Sequence, residues 1–148
     1  MKLIPIRNSK TENTDFFSFP DCLPIIEVME DYYKKIGYNF PWVGYFALEE
    51  NETPVGTGGF KGVPVNNKIE IAYSTFKEYE GKGIGTSICK ELVAIAQNHD
   101  PSVIISARTL PVDSPSCSIL RKNGFINQGI ILDPEDGEVF EWIFKASI

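Results

Sequence analysis

The chain has 148 residues and a formal net charge of −6, from 14 Lys+Arg against 20 Asp+Glu. That length holds one domain of the usual ~100–150 residues, and 43% hydrophobic with 23% charged residues is the make-up of a chain that buries a core rather than a disordered one. An acidic chain with no Lys/Arg run longer than two argues against a nucleic-acid surface, and no apolar run approaches the ~18 residues of a membrane span.

Residues 3–7 predict a short first strand, which Pro5 confines to a sheet edge. Asp21–Ile36 predicts a helix from the spacing of Leu23, Ile26, Val28, Met29 and Tyr33, with Gly37 as its stop. Trp42–Leu48 and Val55–Phe60 predict a hairpin around the polar turn 49–54, and Ile69–Tyr73 a third antiparallel strand. Gly83–Asn98 predicts an amphipathic helix, because Ile84, Ile88, Leu92, Ile95 and Ala96 form one stripe; Pro101 ends it. Val103–Ala107 is a buried-type strand, so residues 69–107 imply a right-handed parallel crossover. Ser114–Asn123 predicts a further helix, with Pro115 tolerated in its first turn and Gly124 just past its end. Phe125–Leu132 and Val139–Lys145 close the chain as two strands around the acidic turn 133–137. The expected architecture is one α+β domain over residues 1–148. Its sheet is mixed and mostly antiparallel, with a central strand–helix–strand crossover and helices on both faces. A crevice is expected where the parallel strands diverge.

The three cysteines, Cys22, Cys89 and Cys117, lack metal-ligand spacing and read as free thiols. With a start, MKLIPIRNSK, that is charged too early for a secretory signal, they set the expectation of a reducing cytoplasm. The single histidine, His99, falls where a helix ends and reads as a surface cap, so neither a His-centred metal site nor a His-based triad is expected.

Seven of the twelve glycines lie in two stretches, Gly56–Gly62 and Gly81–Gly85. The second, Glu80-Gly81-Lys82-Gly83-Ile84-Gly85-Thr86, follows a strand and opens the amphipathic helix. Glycines let a ligand approach the backbone closely, and a helix N-terminus offers unpaired N–H groups and the positive end of the macrodipole. Together these suit a phosphate. The dipole supplies only ~0.3–1 kcal/mol at an exposed site, so several N–H groups and Lys82 must act together, which suits a diphosphate. A Walker loop is absent, and a dinucleotide fingerprint fails because Thr86 stands where its last glycine belongs. From the residues alone, a close-packed turn without ligand stays open beside the phosphate site.

A strand followed by x-x-G-x-G at a helix start resembles the acyl-CoA diphosphate loop of the GNAT superfamily of N-acetyltransferases. A second stretch, Asp113-Ser114-Pro115-Ser116-Cys117-Ser118-Ile119-Leu120-Arg121-Lys122-Asn123-Gly124-Phe125, resembles the N-x-x-S-x-x-x-L-x-K-x-G-F helix of its ribosomal-protein N-terminal acetyltransferase-like branch. Val55–Phe60 before Glu70–Tyr73, and Asp136-Gly137-Glu138 before Trp142, are similar to the same branch, so the resemblance covers about residues 40–145. It implies acetyl-CoA as co-substrate and no metal. Gly81, Lys82, Gly83, Ile84, Gly85 and Thr86 would hold the diphosphate, and the backbone of Tyr73, Ser74 and Thr75 would pair with the pantetheine arm as an added strand does. Asp113 stands where the family has Asn and is carried over as a cofactor contact. Glu80 stands where the family has Gln or Arg and is expected to point outward. Substituting Gly83 or Gly85 by Val is expected to fill the space a diphosphate needs.

Acetyl transfer from a thioester needs a neutral amine and a tolerated thiolate. Deprotonating a lysine amine of pKa ~10.4 near pH ~7.4 costs about 4 kcal/mol, whereas an α-amine near ~7.8 costs well under 1. A modest base suffices for the second. Glu70 is the only carboxylate in Ile69–Tyr73, the strand that the resemblance sets beside the acyl group, and is the candidate base. Glu141 is a second option. Ser116 matches the branch's serine, for which the resemblance implies contact with the sulfur; the alternative is a helix cap. The family's tyrosine acid falls at Leu120, which closes that route. Phe40, Trp42, Tyr45 and Phe46 either line an acceptor pocket or fill the core, and Cys117 reads as a small buried helix residue.

The resemblance implies an N-acetyltransferase, expected in the cytoplasm, that moves acetyl from acetyl-CoA to a primary amine, of a small molecule or a protein N-terminus, in a direct ternary complex. Neither nucleic acid nor membrane is an expected partner, and a homodimer is admitted. The alternative is a non-catalytic acyl-CoA-binding regulatory domain.

Overall fold

The computed structural model describes residues 1–145. Its elements are β1 (Lys2–Pro5), α1 (Leu23–Ile36), β2 (Gly44–Leu48), β3 (Pro54–Phe60), β4 (Lys68–Thr75), α2 (Ile84–His99), β5 (Ile104–Thr109), α3 (Pro115–Lys122), β6 (Phe125–Asp133) and β7 (Gly137–Phe144). The strands form one sheet in the order β1-β2-β3-β4-β5-β7-β6, antiparallel except for the β4–β5 pair. Pro5 lies on edge strand β1, where its missing N–H costs no ladder bond. The crossover through α2 makes β4 and β5 parallel, as the element order requires.

Helices cover both faces, and alternation along β3 shows it. Gly59 pairs with Gly44 of β2, and a β-carbon at Gly44 would stand 2.7 Å from Met29 Cε of α1. Gly58, one residue along, points to the other face, where a β-carbon would meet Ile88 at 2.5 Å. The expected stripe of α2 is there: Ile84, Ile88, Leu92 and Ala96 are buried, and Ile95 packs at the margin of the same cluster. That cluster joins α2 and α3 to Ile69, Ile71, Ile105, Ala107 and Trp142 of the sheet. A second cluster, with Ile6, Ile26, Phe46 and Leu48, seats α1.

Several boundaries differ from the sequence expectation for local reasons. Helix α1 begins at Leu23, with Pro24 in the first turn, where a missing N–H costs no helical bond. Strand β2 begins at Gly44, because Trp42 and Val43 belong to a turn in which their N–H groups donate to Asn39 O and Pro41 O. Residues Lys10–Phe16 form a 3-10 helix entered through Ser9, whose backbone N–H donates to Glu12 at 3.2 Å. Buried Asn13 anchors this segment by bonds to Arg7 and Ser9. Val28, expected on the buried stripe of α1, is 65% exposed. His99 is the last residue of α2 and lies exposed with its ring edge-on to Trp42 at 5.3 Å. Among the described residues no helix is long and apolar enough to cross a membrane.

Candidate active site

Strands β4 and β5 keep register from Lys68↔Ile104 to Ile71↔Ala107 and then part. Strand β4 runs on to Thr75 along β3, while β5 turns its pairing to β7. Glu70 N–H and C=O belong to the β3 side, since Glu70 O accepts from Lys61 N–H at 2.9 Å. Antiparallel alternation gives that side to Ala72 and Ser74 as well, so the N–H and C=O groups of Tyr73 and Thr75 face the opening. Past Ile71 they have no strand partner in β5. An extended ligand laid here would meet free backbone donors and acceptors.

The loop at the top of α2 borders this opening. The first helical bond is Ser87 N–H to Gly83 O at 3.2 Å, which leaves the N–H groups of Ile84, Gly85 and Thr86 without helical partners. Gly81 and Gly83 both take φ +78°, and a β-carbon on either would meet nothing within 4 Å. That open space above free N–H groups is the shape an anion needs, so the residues present fit an acyl-CoA diphosphate. Gly85 differs. It is buried, and a β-carbon there would sit 2.7 Å from Ile119 Cδ1 of α3, so the expectation that Gly85→Val fills ligand space is corrected: the added bulk enters the α2–α3 contact. Lys82 is exposed with Nζ 5.6 Å above the Tyr79 ring, and Glu80 is exposed.

Helix α3 starts across the opening. Ser114 is its cap, accepting from Cys117 N–H at 3.4 Å, so the cap once open to Ser116 belongs to Ser114. Ser116 is half-buried in the first turn, and its carbonyl accepts from the Tyr73 hydroxyl at 3.5 Å. Asp113 lies outside the helix, 82% exposed, ion-paired with Arg121 at 3.1 Å. Cys117 is buried, its thiol donating to Val112 O at 3.4 Å. Burial pushes the Cys22 thiol up to about 11 and the Cys89 thiol up to about 12.

On the α1 face of the sheet lies a cavity of about 630 Å³. Its floor is Gly44, Gly59 and Ala72, its wall is Ile25, Val28, Met29 and Tyr32 of α1, and the turn Asp133–Glu135 closes one end. Glu70 projects into it beside the point where β4 and β5 part. Neither Trp42, Tyr45 nor Phe46 lines it; all three are buried in the core, and Phe40 is 64% exposed.

Glu70 is held by two cations: Lys61 Nζ lies 2.9 Å from one oxygen and Arg108 Nε 3.7 Å from the other. Arg108 also reaches Asp133 at 2.8 Å and Glu141 at 3.6 Å. Glu141 is further bound by Lys68 at 2.9 Å and does not line the cavity. Burial pulls the Lys61 ammonium down, but the Glu70 hydrogen bond and the charges of Glu70, Asp133 and Asp136 outweigh it and raise it overall. The Arg108 hydrogen bond, with the N–H groups of Glu135 and Asp136, holds Asp133 down to about 2. Lys61, Arg108 and Asp133 were not singled out from the sequence. The one signal was an arginine directly after the apolar run Val103–Ala107.

A depressed carboxyl stabilises the fold above its unfolded value and loses that contribution as pH falls through its folded value. For Asp133 the window runs from about 4 down to about 2. Asp133→Asn is therefore expected to melt below the wild type at pH 7, with the gap closing across that window. A gap that stays constant down to pH 2 assigns the effect to packing of the turn instead.

A family model described as an acetyltransferase (GNAT) domain matches residues 8–126. No curated protein matches the chain. Solved structures do. A chimera of spermidine N-acetyltransferase SpeG from Vibrio cholerae and hSSAT is 12% identical, with 97% of this chain and 95% of that one covered, at a TM-score of 0.69. Ribosomal-protein-S5-alanine acetyltransferase from Vibrio fischeri is 16% identical over 81% of this chain and 67% of that one, at 0.62. Aminoglycoside acetyltransferase AAC(6')-Ib in complex with coenzyme A is 24% identical over 68% and 64%, at 0.60. These likenesses are of fold. The family match spans most of the chain, and with it the chain belongs to the GNAT acetyltransferases.

Proposed function

We propose that the chain is an N-acetyltransferase that binds acetyl-CoA in the opening between β4 and β5 and passes the acetyl group to a primary amine in the α1-side cavity. One observation carries the reading. Where β4 leaves β5, the backbone of Tyr73 and Thr75 is unpaired toward one side while the neighbouring Glu70 side chain faces the cavity on the other. A thioester and an amine on these two sides would meet at one strand, which is the geometry of a direct ternary complex. The solved structures of similar fold include enzymes named for spermidine and for aminoglycosides, both amines.

When bound, acetyl-CoA supplies an acetyl group activated as a thioester. The N–H groups of Ile84, Gly85 and Thr86, with Lys82, would hold the diphosphate, and the backbone of Tyr73 and Thr75 would align the arm; Ser74, expected to share that role, instead turns its backbone to β3. Glu70 takes the proton that the amine nitrogen sheds as its lone pair forms the new N–C bond. The Ser116 hydroxyl donates to the sulfur, which keeps the electron pair of the broken C–S bond. Thiol release over a panel of amines, followed by mass spectrometry of the product, tests the reading. An N-acetylated product supports it. Intact CoA binding with no thiol released from any amine returns the binding-domain alternative.

Ser116 gives a second test. Its contact with a departing thiolate exists mainly in the transition state, so Ser116→Ala is expected to cut kcat by ~10-fold or more, a hydrogen bond to a charged group being worth ~1.5–3 kcal/mol. Acetyl-CoA affinity should not move. Because Ser114 holds the cap, stability should stay within about 0.5 kcal/mol. Full activity from a normally stable variant removes Ser116 from the mechanism.

A further inference from the structure

We infer that the acceptor is a free α-amino acid with a large apolar side chain, its carboxylate on Lys61 and its amine on Glu70. The inference rests on the acetyltransferase reading above and names the substrate class of that same site.

Glu70 does not face the cavity as a bare carboxylate. Lys61 stands against it at 2.9 Å, and both line the cavity. An amine without an anion that takes Glu70 must displace Lys61, whose half-exposed ammonium then keeps only the more distant charges of Asp133 and Asp136. The Glu70 side chain is 18% exposed and that of Lys61 49%, so the pair is only partly shielded, and losing it costs a fraction of what a buried pair would. A zwitterion avoids it. The substrate ammonium takes Glu70, the substrate carboxylate takes Lys61, and all four charges stay paired. The two groups of an α-amino acid are separated by a single carbon, which suits a protein pair already in contact. Arg108 stays beside Glu70 during this exchange, because Asp133 holds the guanidinium at 2.8 Å while its Nε lies 3.7 Å from Glu70.

The rest of the cavity describes the side chain. The floor of Gly44, Gly59 and Ala72 is apolar, with the hydroxyl residues Thr57 and Ser74 beside it, and the wall of Ile25, Val28, Met29 and Tyr32 is apolar apart from one phenol. Val28 is left 65% exposed on a helix that buries Ile26 and Tyr33 elsewhere, which fits a residue covered when a ligand arrives. A peptide N-terminus lacks the adjacent carboxylate that Lys61 would take, and a polycation, though drawn by Asp133 and Glu135 at the closed end, offers Lys61 no anion either.

Calorimetry on the full chain loaded with CoA tests this without turnover. Phenylalanine is compared with phenethylamine and leucine with 3-methylbutylamine, beside spermidine and a short peptide with a free N-terminus. Each amino acid is expected to bind at least ~10-fold tighter than its decarboxylated partner. Lys61→Gln should erase that ratio without changing CoA affinity, and Lys61→Arg should keep it, which separates lost charge from a damaged fold. Equal or tighter binding of the decarboxylated amine, of spermidine or of the peptide overturns the inference, as does a ratio that survives Lys61→Gln. Amino-acid binding with no thiol released from acetyl-CoA instead sinks the acetyltransferase reading.

Discussion

Glu70→Gln is expected to lower kcat by ~10²–10⁴-fold, the usual loss for a general base, while acetyl-CoA affinity stays within a factor of about two. The substitution keeps size and an oxygen that can still accept from Lys61, which lies 2.9 Å away. Arg108 keeps Asp133 and Glu141, so the ion network on this face retains its anchors. What is lost is the group that receives the amine proton. The acidic limb of the kcat/KM profile should therefore disappear or shift, a change that a purely structural carboxylate would not produce. Profiles of wild type and variant that superimpose assign Glu70 to structure and leave proton transfer to another group. Glu141 is the poorer substitute, since it sits on β7 with Lys68 and Arg108 and outside the cavity.

Glu70 was legible because a single carboxylate in Ile69–Tyr73 stands out in a short apolar strand. Its partners were not. Arg108 faces Glu70 only through the pairings Glu70↔Ser106 and Arg108↔Glu141, and register between strands 36 residues apart leaves no mark on local periodicity. Lys61 reaches Glu70 because β3 lies antiparallel to β4 with Phe60 against Ile71, so the pair is again a product of sheet order. The helix α2 was the opposite case: four-residue spacing from Ile84 to Ala96 is itself the geometry of one buried face. The 3-10 helix Lys10–Phe16 carried a signal, Ser9 followed by Glu12, but no apolar period to extend it. Among the glycines, motif spacing made Gly83 and Gly85 look alike. The fold separates them, because one precedes the helix and the other is inside it facing α3.

That separation sets the second large effect. Gly83→Val is expected to weaken acetyl-CoA binding by ~100-fold or more, from an expected wild-type Kd of ~1 μM, where each tenfold step is about 1.4 kcal/mol. Gly83 holds φ +78° and ψ 10°, a conformation that costs an L-residue roughly 1–2 kcal/mol and a β-branched one more. In the unliganded chain the added β-carbon itself meets nothing within 4 Å, so the cost at that atom is backbone strain and not a clash. In the complex the side chain occupies the space above the free N–H groups of Ile84, Gly85 and Thr86, where the diphosphate is proposed to sit. Gly83→Ala should fall between, sharing the backbone strain but adding only a methyl. Gly85→Val is the contrasting variant: 2.7 Å from Ile119 Cδ1, it overpacks the α2–α3 contact and should lose ~1–3 kcal/mol of stability. Calorimetry and melting on the same preparations separate the two. Affinity lost at Gly83 with the fold kept, against stability lost at Gly85, is the pattern this loop predicts. A Gly83→Val protein that binds acetyl-CoA as tightly as wild type places the cofactor elsewhere on the sheet.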